Sequence, residues 1–288
     1  MNKRSFLKNA RPSHAEVSTD THWPAPLAQV EVTRWRAGVR EQVTDQLAEE
    51  TPVAVLCNGE PHAVMLMSPA DLDDFAMGFA YTEGLISRPR DLVLVEQRVL
   101  ADGLEVDLVI PSRLGSGQGE QPRAMAGRSG CGLCGKRMVE DAMRTPAPVT
   151  ATTQVKRGAI ARASAALAMG QPINRATGAV HAAAWIDLSG DVIAVREDIG
   201  RHNALDKLIG ARIKGDYPPG FALVTCRASY EIVMKAAMAG IAVLAAVSAP
   251  TARAEHLAQT CQLTLAAFVR GADLVIYSHA ERIIEGGS

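Results

Sequence analysis

Along the chain the spacing of apolar positions changes character twice. VEVTRW, residues 30–35, alternates apolar and polar and predicts a strand. PVAVLCNGEPHAVMLM, residues 52–67, predicts two strands around an Asn58-Gly59 turn. Ser68 then reads as the N-cap of a helix in SPADLDDFAMGFAYTEGL, with Pro69 at its first position, Asp71 in its first turn and Gly84 at its end. LVLVEQRVLADGLEVDLVI, residues 92–110, alternates on either side of Asp102-Gly103 and predicts a second hairpin. Together these elements make a small α+β domain over residues 28–112, after a flexible tail over residues 1–27.

The periodicity then stops. PSRLGSGQGEQPRAMAGRSG, residues 111–130, is polar and glycine-rich, far longer than the ~4–6 residues that usually join two elements. It leads into SGCGLCGKR (129–137), a short helical run KRMVEDAM, and the breaker-rich TPAPVTATTQ (145–154). Residues 113–154 are therefore read as a loop carrying two cysteines, plus a linker. From residue 155 to 288, strands and helices alternate. KRGAIARASAALAM, HNALDKLIGARI, SYEIVMKAAMAG and TARAEHLAQTC read as helices. VHAAAWIDL, VIAVRED, FALVTC, IAVLAAV, LTLAAFV and DLVIY read as strands. Such alternation predicts an α/β layered domain with a largely parallel sheet.

Composition narrows the class. Hydrophobic residues make up 48% and charged residues 21%, which fits a globular chain with a sizeable core. Thirty basic residues against 31 acidic ones leave no global field to draw nucleic acid or an anionic membrane. No apolar run reaches the ~18–20 residues of a spanning helix. The first residues lack the apolar region of a secretory signal, so a cytoplasmic location is expected. In that setting the five cysteines, Cys57, Cys131, Cys134, Cys226 and Cys261, are expected to be reduced.

Cys131 and Cys134 carry the most informative spacing. Gly130, Gly132 and Gly135 flank them and permit close approach of another molecule. Lys136, Arg137 and a following helix N-terminus would favour the thiolate. Four readings stand beside one another. Structural zinc needs four ligands, and there is no second C-x-x-C. A thioredoxin-like pair follows a strand directly, whereas a long polar loop precedes this one. A pair without chemistry would leave reactive thiols exposed for nothing. Sulfur carriage on a long loop meets none of these objections. A zinc deaminase is excluded, because the order H-x-E then P-C-x-x-C is missing: the cysteines precede His181, and Ala182 and Ala183 follow it.

Polar clusters also fall where strands end. Thr177, Gly178 and His181 stand at a strand entrance. VREDIGRHNALDKL packs Glu197, Asp198, Gly200, Arg201, His202, Asn203, Asp206 and Lys207 around a strand-to-helix turn, which suits a phosphate or a polar ring. The bland alternative is a capped helix with Asp206 and Lys207 in solvent. TCRASYEIVMK and VSAPTARAEH repeat the strand–turn–helix pattern, with Ser229 as a cap, Arg227 and Glu231 near the sheet edge, and Thr251 opening the last helix. Three such turns would form one rim able to hold an extended ligand with several phosphates.

These motifs together resemble the formate dehydrogenase accessory sulfurtransferases, the FdhD family. The resemblance rests on GEP (59–61), MGFAYTEGLI (77–86), SGCGLCG (129–135), TGAVHAAA (177–184), REDIGRHNALDK (196–207), RASYEIVMKAA (227–237), SAPT (248–251) and FVRGADLVIYS (268–278). It implies a cytidine-deaminase-like α/β domain with a mixed sheet and no deaminase activity, preceded by the small α+β domain. It further implies a sulfurtransferase that takes persulfide sulfur from a cysteine desulfurase. The acceptor is the molybdenum bis-guanine-dinucleotide cofactor, bound as a substrate on its way to formate dehydrogenase. Cys131 resembles the persulfide-bearing nucleophile, with Cys134 assisting. Phe268, Val269, Arg270, Gly271, Ala272 and Asp273 resemble the cofactor-binding segment, and Arg201, His202, Arg227 and His181 are the rim's candidates for the same ligand. No resident metal is expected, and a homodimer is. The rival is a non-catalytic carrier of the molybdenum cofactor. The chain departs from the family's pattern at Thr225-Cys226-Arg227, where Ser-Gly-Arg is expected, and at TGAV, where two glycines are expected. Cys226 puts close backbone approach at that turn in doubt and adds a third thiol near the rim.

Overall fold

The computed structural model describes residues 23–111 and 144–285. Cys131, Cys134 and the helical run predicted over residues 136–143 lie outside the described residues. The chain opens with an antiparallel pair, β1 (Leu27–Arg36) and β2 (Val39–Ala48), standing as a sheet of its own. Pattern reading finds β1 but not β2, because VREQVTDQLA is polar at most positions and shows no clear alternation.

A four-stranded sheet follows, built from β3 (Thr51–Cys57), β4 (Glu60–Met67), β5 (Leu94–Leu100) and β6 (Gly103–Val109) in the order β4-β3-β6-β5. Asn58 and Gly59 both have positive φ, so the predicted turn between β3 and β4 forms. The second hairpin differs by one residue. Leu100 pairs with Gly103, and the turn is Ala101-Asp102. Gly103 belongs to the strand, where a Cβ would stand 2.3 Å from the Pro52 carbonyl oxygen. One helix, α1 (Leu72–Thr82), covers this sheet and buries Phe75 and Phe79 against Val53, Val55, Val106 and Leu108.

The second lobe holds a six-stranded sheet of β8 (His181–Asp187), β9 (Val192–Asp198), β10 (Gly220–Val224), β11 (Val243–Ala246), β12 (Thr264–Arg270) and β13 (Asp273–Ser278). Its order is β13-β12-β11-β10-β8-β9. Only β10/β11 and β11/β12 run parallel; β8/β9, β8/β10 and β12/β13 are antiparallel. The largely parallel sheet expected from alternation is thus corrected to a mixed one, because β8/β9 and β12/β13 are hairpins without a crossover helix. A short parallel pair, β7 (Val155–Lys156) with β14 (Ile283–Ile284), joins the two ends of this lobe. Its helices are α2 (Arg157–Ala166), α3 (Pro172–Thr177), α4 (Arg201–Lys214), α5 (Tyr230–Met238) and α6 (Ala252–Thr260). None of the described helices is long and apolar enough to cross a membrane.

The lobes meet where α1 crosses α4. A Cβ on Gly78 would lie 1.8 Å from the Asp206 carbonyl oxygen, and one on Gly210 would lie 1.8 Å from the Asp74 carbonyl oxygen. The two backbones therefore touch, which only glycine permits. Around that contact the charges are sealed and paired. Thr82 Oγ1 donates to Asp206 at 2.8 Å, and Lys235 Nζ donates to Asp206 at 2.8 Å, to Thr82 at 3.0 Å and to Glu83 at 3.2 Å. Lys214 and Arg196 both reach Asp74, at 2.6 and 2.7 Å.

Ser68 is not the N-cap expected from sequence. The helix starts at Leu72 behind Asp71, whose φ is 55°. Ser68 serves the interface instead. Its N–H donates to Asp198 Oδ2 at 3.1 Å, its carbonyl accepts from Lys207 Nζ at 3.0 Å, and its hydroxyl accepts from the Ile199 N–H at 3.3 Å. The solvated-face reading of Asp206 and Lys207 also fails, for both are fully buried.

Gly210→Ala is expected to force α1 and α4 apart. The cost should be about 3 kcal/mol or more, read as a lower urea midpoint, with Gly158→Ala, which meets open space, as the neutral control.

Candidate functional site

Parallel strands β10, β11 and β12 end on the same side of the six-stranded sheet, and the ends of β10 and β11 run into polar turns. Backbone hydrogen bonds stitch these turns into one rim. The Thr225 N–H donates to the Ala182 carbonyl at 3.0 Å, the Ala228 N–H to Ala249 at 3.1 Å, and the Phe268 N–H to Ser248 at 3.3 Å. His181 stands directly opposite Asp198 across β8 and β9, so the start of α4 joins the same rim.

Asp198 anchors that start. Its carboxylate, fully buried, accepts from Ser68 N–H, Gly200 N–H, Asn203 Nδ2 and Lys207 Nζ, the last at 2.6 Å. Glu197 turns the other way and accepts the N–H groups of Ile173 and Asn174 at 2.9 and 2.8 Å, which caps α3. Arg201 and His202 then occupy the first turn of α4, a helix N-terminus whose dipole favours an anion. On α5, the neighbouring helix, Glu231 Oε2 stands 3.3 Å from His202 Nε2, without the alignment of a hydrogen bond. Thr251 caps α6 by accepting from the Ala254 N–H at 3.3 Å. Ser229, expected as the cap of α5, makes no cap bond, and its buried hydroxyl finds no hydrogen-bond partner among the described residues.

Electrostatics make the rim cationic and otherwise silent near neutrality. Burial, with Arg201 and Lys235 nearby, pushes His202 down to about 3, so its imidazole is neutral at pH 7. Burial and Arg201 also lower His181. Cys226 is 4% exposed, and burial pushes its thiol up to about 11 although Arg201 and Arg227 pull the other way. The third thiol is therefore buried, and burial favours its protonated form.

The FVRG stretch holds a strained residue. Phe268 lies in the left-handed region with φ 54°, at a bulge where β12 slips register against β13, and the residue is 38% exposed. Left-handed backbone costs a non-glycine residue ~1–2 kcal/mol, so the surroundings hold this conformation against a preference. Phe268 sits on the rim through Ser248, and Val269 is buried beneath it. Arg270 and Asp273 pair across the β12–β13 turn, Gly271-Ala272, and the Ala272 carbonyl accepts from Arg157. Among the described residues no hydrogen bond or ion pair joins Arg270 or Asp273 to Arg201 or Arg227. The rim thus gathers His181, Arg201, His202, Arg227 and Phe268, while Arg270 to Asp273 extend past its end.

Sequence reasoning missed one further feature. Arg144, the first described residue after the cysteine-bearing segment, has its carbonyl bound by the Tyr230 hydroxyl at 2.6 Å, and its guanidinium donates to the Glu83 carbonyl. Tyr230 opens α5 beside Glu231, so the segment rejoins the fold next to the rim. No local signal in TPAPVTATTQ or SYEIVMK announces a contact across 86 residues. Among the described residues no group of three or more His, Cys, Asp or Glu side chains could hold a metal ion.

Fold and rim define a two-lobed α/β protein whose strand ends gather arginines and a helix N-terminus along one edge. The sequence model described as the FdhD/NarQ family matches residues 48–284. Sulfur carrier proteins FdhD from Xanthomonas euvesicatoria and Bordetella bronchiseptica are each 48% identical to the chain, over 88% and 92% of its length and 90% and 98% of theirs. The chain belongs to the FdhD/NarQ family. In three dimensions it superposes with a TM-score of 0.74 on a crystal structure described as a formate dehydrogenase accessory protein of Desulfotalea psychrophila. That match covers 90% of this chain and 100% of the other at 22% identity, so it speaks for the fold.

Two outcomes are expected from the buried groups. A histidine lowered on folding binds fewer protons folded than unfolded, so its contribution is lost as pH falls from its ordinary value toward its folded one. His202 should therefore cost about 2 kcal/mol of stability by pH 5. Asp206, pushed up to about 6 by burial, runs the opposite way and favours the folded state as pH falls through that value. Urea midpoints of wild type and His202→Gln, compared from pH 7 to 5, isolate the histidine: the variant should gain relative to wild type as the pH drops. For Cys226, alkylation of the folded protein at pH 8 should run at least about a hundredfold slower than for a free thiol. Peptide mass spectrometry after iodoacetamide reads that rate directly.

Proposed function

We propose that this protein is a sulfur carrier that accepts persulfide sulfur from a cysteine desulfurase and delivers it to the molybdenum bis-guanine-dinucleotide cofactor of formate dehydrogenase. The relatives named sulfur carrier protein FdhD and the C-x-x-C at Cys131 and Cys134 supply the class of reaction. The observation that carries the reading is the return of the cysteine-bearing segment at Arg144, fixed by Tyr230 beside the rim. Ten residues separate Cys134 from Arg144, so the thiol stays within about 36 Å of that anchor whatever the path between. We also retain the cytidine-deaminase-like layering as part of this reading, on the strength of the mixed sheet.

Loading is a thiolate exchange. Cys131 thiolate attacks the outer sulfur of the desulfurase persulfide, the donor cysteine leaves as thiolate, and Cys131 now bears the S–SH group. Delivery as sulfide needs two electrons. Cys134 thiolate supplies them by attacking the inner sulfur, which forms a Cys131–Cys134 disulfide and releases hydrosulfide toward the molybdenum. The cofactor is a substrate here. Its guanine dinucleotide phosphates suit the Arg201 and Arg227 guanidiniums and the N–H groups opening α4, while the exposed Phe268 ring and Arg270 to Asp273 suit the bases beyond the rim. The neutral imidazoles of His181 and His202 can hydrogen-bond a polar ring without adding charge. The protein is taken to act in the cytoplasm.

Incubation with a desulfurase and cysteine, followed by mass spectrometry of the peptide holding residues 129–137, tests this. One added sulfur is expected on Cys131 in wild type and in Cys134→Ala, with release blocked in the latter, and none in Cys131→Ala. Equal labelling of Cys131→Ala would sink the assignment. Activation of formate dehydrogenase by a Cys131→Ser, Cys134→Ser variant would establish the non-catalytic carrier instead.

A further inference from the structure

Glu231 is an acid set among the cations of the rim. It is 8% exposed, in the first turn of α5 beside the start of α4. A carboxylate there repels a phosphate, so a rim serving phosphates alone gains nothing from it. Lys235, one turn along α5, does not explain it as a hydrogen-bonded partner. The three N–H groups of that ammonium go to Asp206, Thr82 and Glu83. Nor does His202, whose imidazole is neutral at pH 7.

The same corner holds polar atoms that the protein does not satisfy. His202 is 6% exposed, and its Nε2 makes no hydrogen bond among the described residues, although Glu231 Oε2 is 3.3 Å away. Ser229 Oγ, at the cap position of α5, is buried and also without a hydrogen bond. With Nδ1 protonated, the imidazole presents Nε2 as an acceptor. Nε2 and the carboxylate oxygen are then two adjacent acceptors, which cannot satisfy each other but suit two neighbouring N–H groups of a ligand. Donors stand beside them: the Ser229 hydroxyl two residues before Glu231, and the Arg201 guanidinium next to His202 in the first turn of α4. Acceptors on one side and donors on the other complement a 2-amino-4-oxopyrimidine edge. Its ring N–H and exocyclic amine donate, and its carbonyl oxygen accepts.

We infer that Glu231 and His202 Nε2 read the ring N–H and amine of such an edge, while Ser229 and Arg201 donate to its carbonyl oxygen. Guanine carries this edge, and so does the pterin of the same cofactor. Glu231 is then a specificity-determining residue, reading the ring instead of the phosphates. The inference rests on the cofactor-binding part of the proposed function and not on sulfur carriage.

Two pairs of probes, titrated calorimetrically into the full chain, test it. GDP is compared with IDP, and pterin with 4-hydroxypteridine; the second member of each pair lacks the exocyclic amine. In wild type the amine is expected to tighten binding by about ten- to a hundredfold in at least one pair, the gain of a hydrogen bond to a charged group. A difference between GDP and IDP assigns the edge to guanine, and one between the pteridines assigns it to the pterin. In Glu231→Gln most of that difference should vanish. A residue that merely supports the fold would weaken both members of a pair alike and leave their ratio unchanged, which overturns the inference. So does a wild type that shows no difference in either pair. Should Glu231→Gln fail to fold, His202→Gln takes its place, with the same ratio as the readout. None of these titrations needs a persulfide. A chain that discriminates the amine but never loads Cys131 overturns sulfur carriage alone, and one that loads Cys131 but ignores the amine overturns the inference alone.

Discussion

Where α1 meets α4, two glycines bring peptide backbones into direct contact, and most of the arrangement follows from that closeness. At Gly78 and Gly210 no side chain separates the helices. Water is excluded on either side, so every polar group flanking the crossing must be answered by another. Asp206, Lys207 and Lys235 are among the most buried side chains in the molecule, and each finds its partners from a different element. Burial alone would lower Lys235, but the carboxylates of Asp206, Glu83 and Glu231 together raise it, while Asp206 has only one ammonium against its own desolvation and is pushed up. The lysine is thus the better-served partner, and the ion pair persists at neutral pH. Buried pairs of this kind add little net stability over apolar packing, yet removing one partner strands a charge. Their use here is to fix how α1 sits on α4.

That fixed crossing is what positions the rim. α4 begins at Arg201 and passes Gly210 only nine residues later, so its first turn cannot shift without moving the contact with α1. Asp198 locks the same turn from below, with one of its four donors, the Ser68 N–H, coming from the other lobe. α5 is tied in by Lys235 at the interface and by Tyr230 at the rim. The two helix starts that present Arg201, His202 and Glu231 are therefore held by both lobes. Phe268 shows the same over-determination on a smaller scale, a left-handed residue kept in place by the bulge and by Ser248.

Much of this was legible in the chain, and the illegible part has one cause. Strand and helix positions follow from local period, and Asn58-Gly59 forms the predicted turn because both residues accept positive φ at low cost. Turns at the ends of β9, β10 and β11 were marked by their polar residues. Partnerships across long sequence separations were not. Asp206 and Lys207 look like a solvated face until Thr82, 124 residues away, and Ser68, 139 residues away, supply the hydrogen bonds that bury them. Ser68 looks like a cap for the same reason. Nothing in either helix alone marks Gly78 or Gly210, because a helix–helix contact has no signature in one helix. β2 was missed because its exposed polar residues carry no period. The cysteine pair is conspicuous in sequence and lies outside the described residues, whereas Arg144, which ties its segment to α5, is inconspicuous.

The electrostatics of the rim bear on where chemistry can happen. An acid–base site needs a group that changes charge near pH 7. His202 is held neutral, His181 is shifted the same way, and the Cys226 thiol is driven far above neutrality. What remains are guanidiniums, the Glu231 carboxylate beside His202, N–H groups at a helix start and an exposed aromatic ring, groups suited to binding. A surface so composed suits holding an anion better than it suits acid–base chemistry. On the proposed function the reacting thiolates then belong to a part of the chain other than the rim. Arg144, held by Tyr230 beside the rim, is where the chain that carries Cys131 and Cys134 re-enters the described fold.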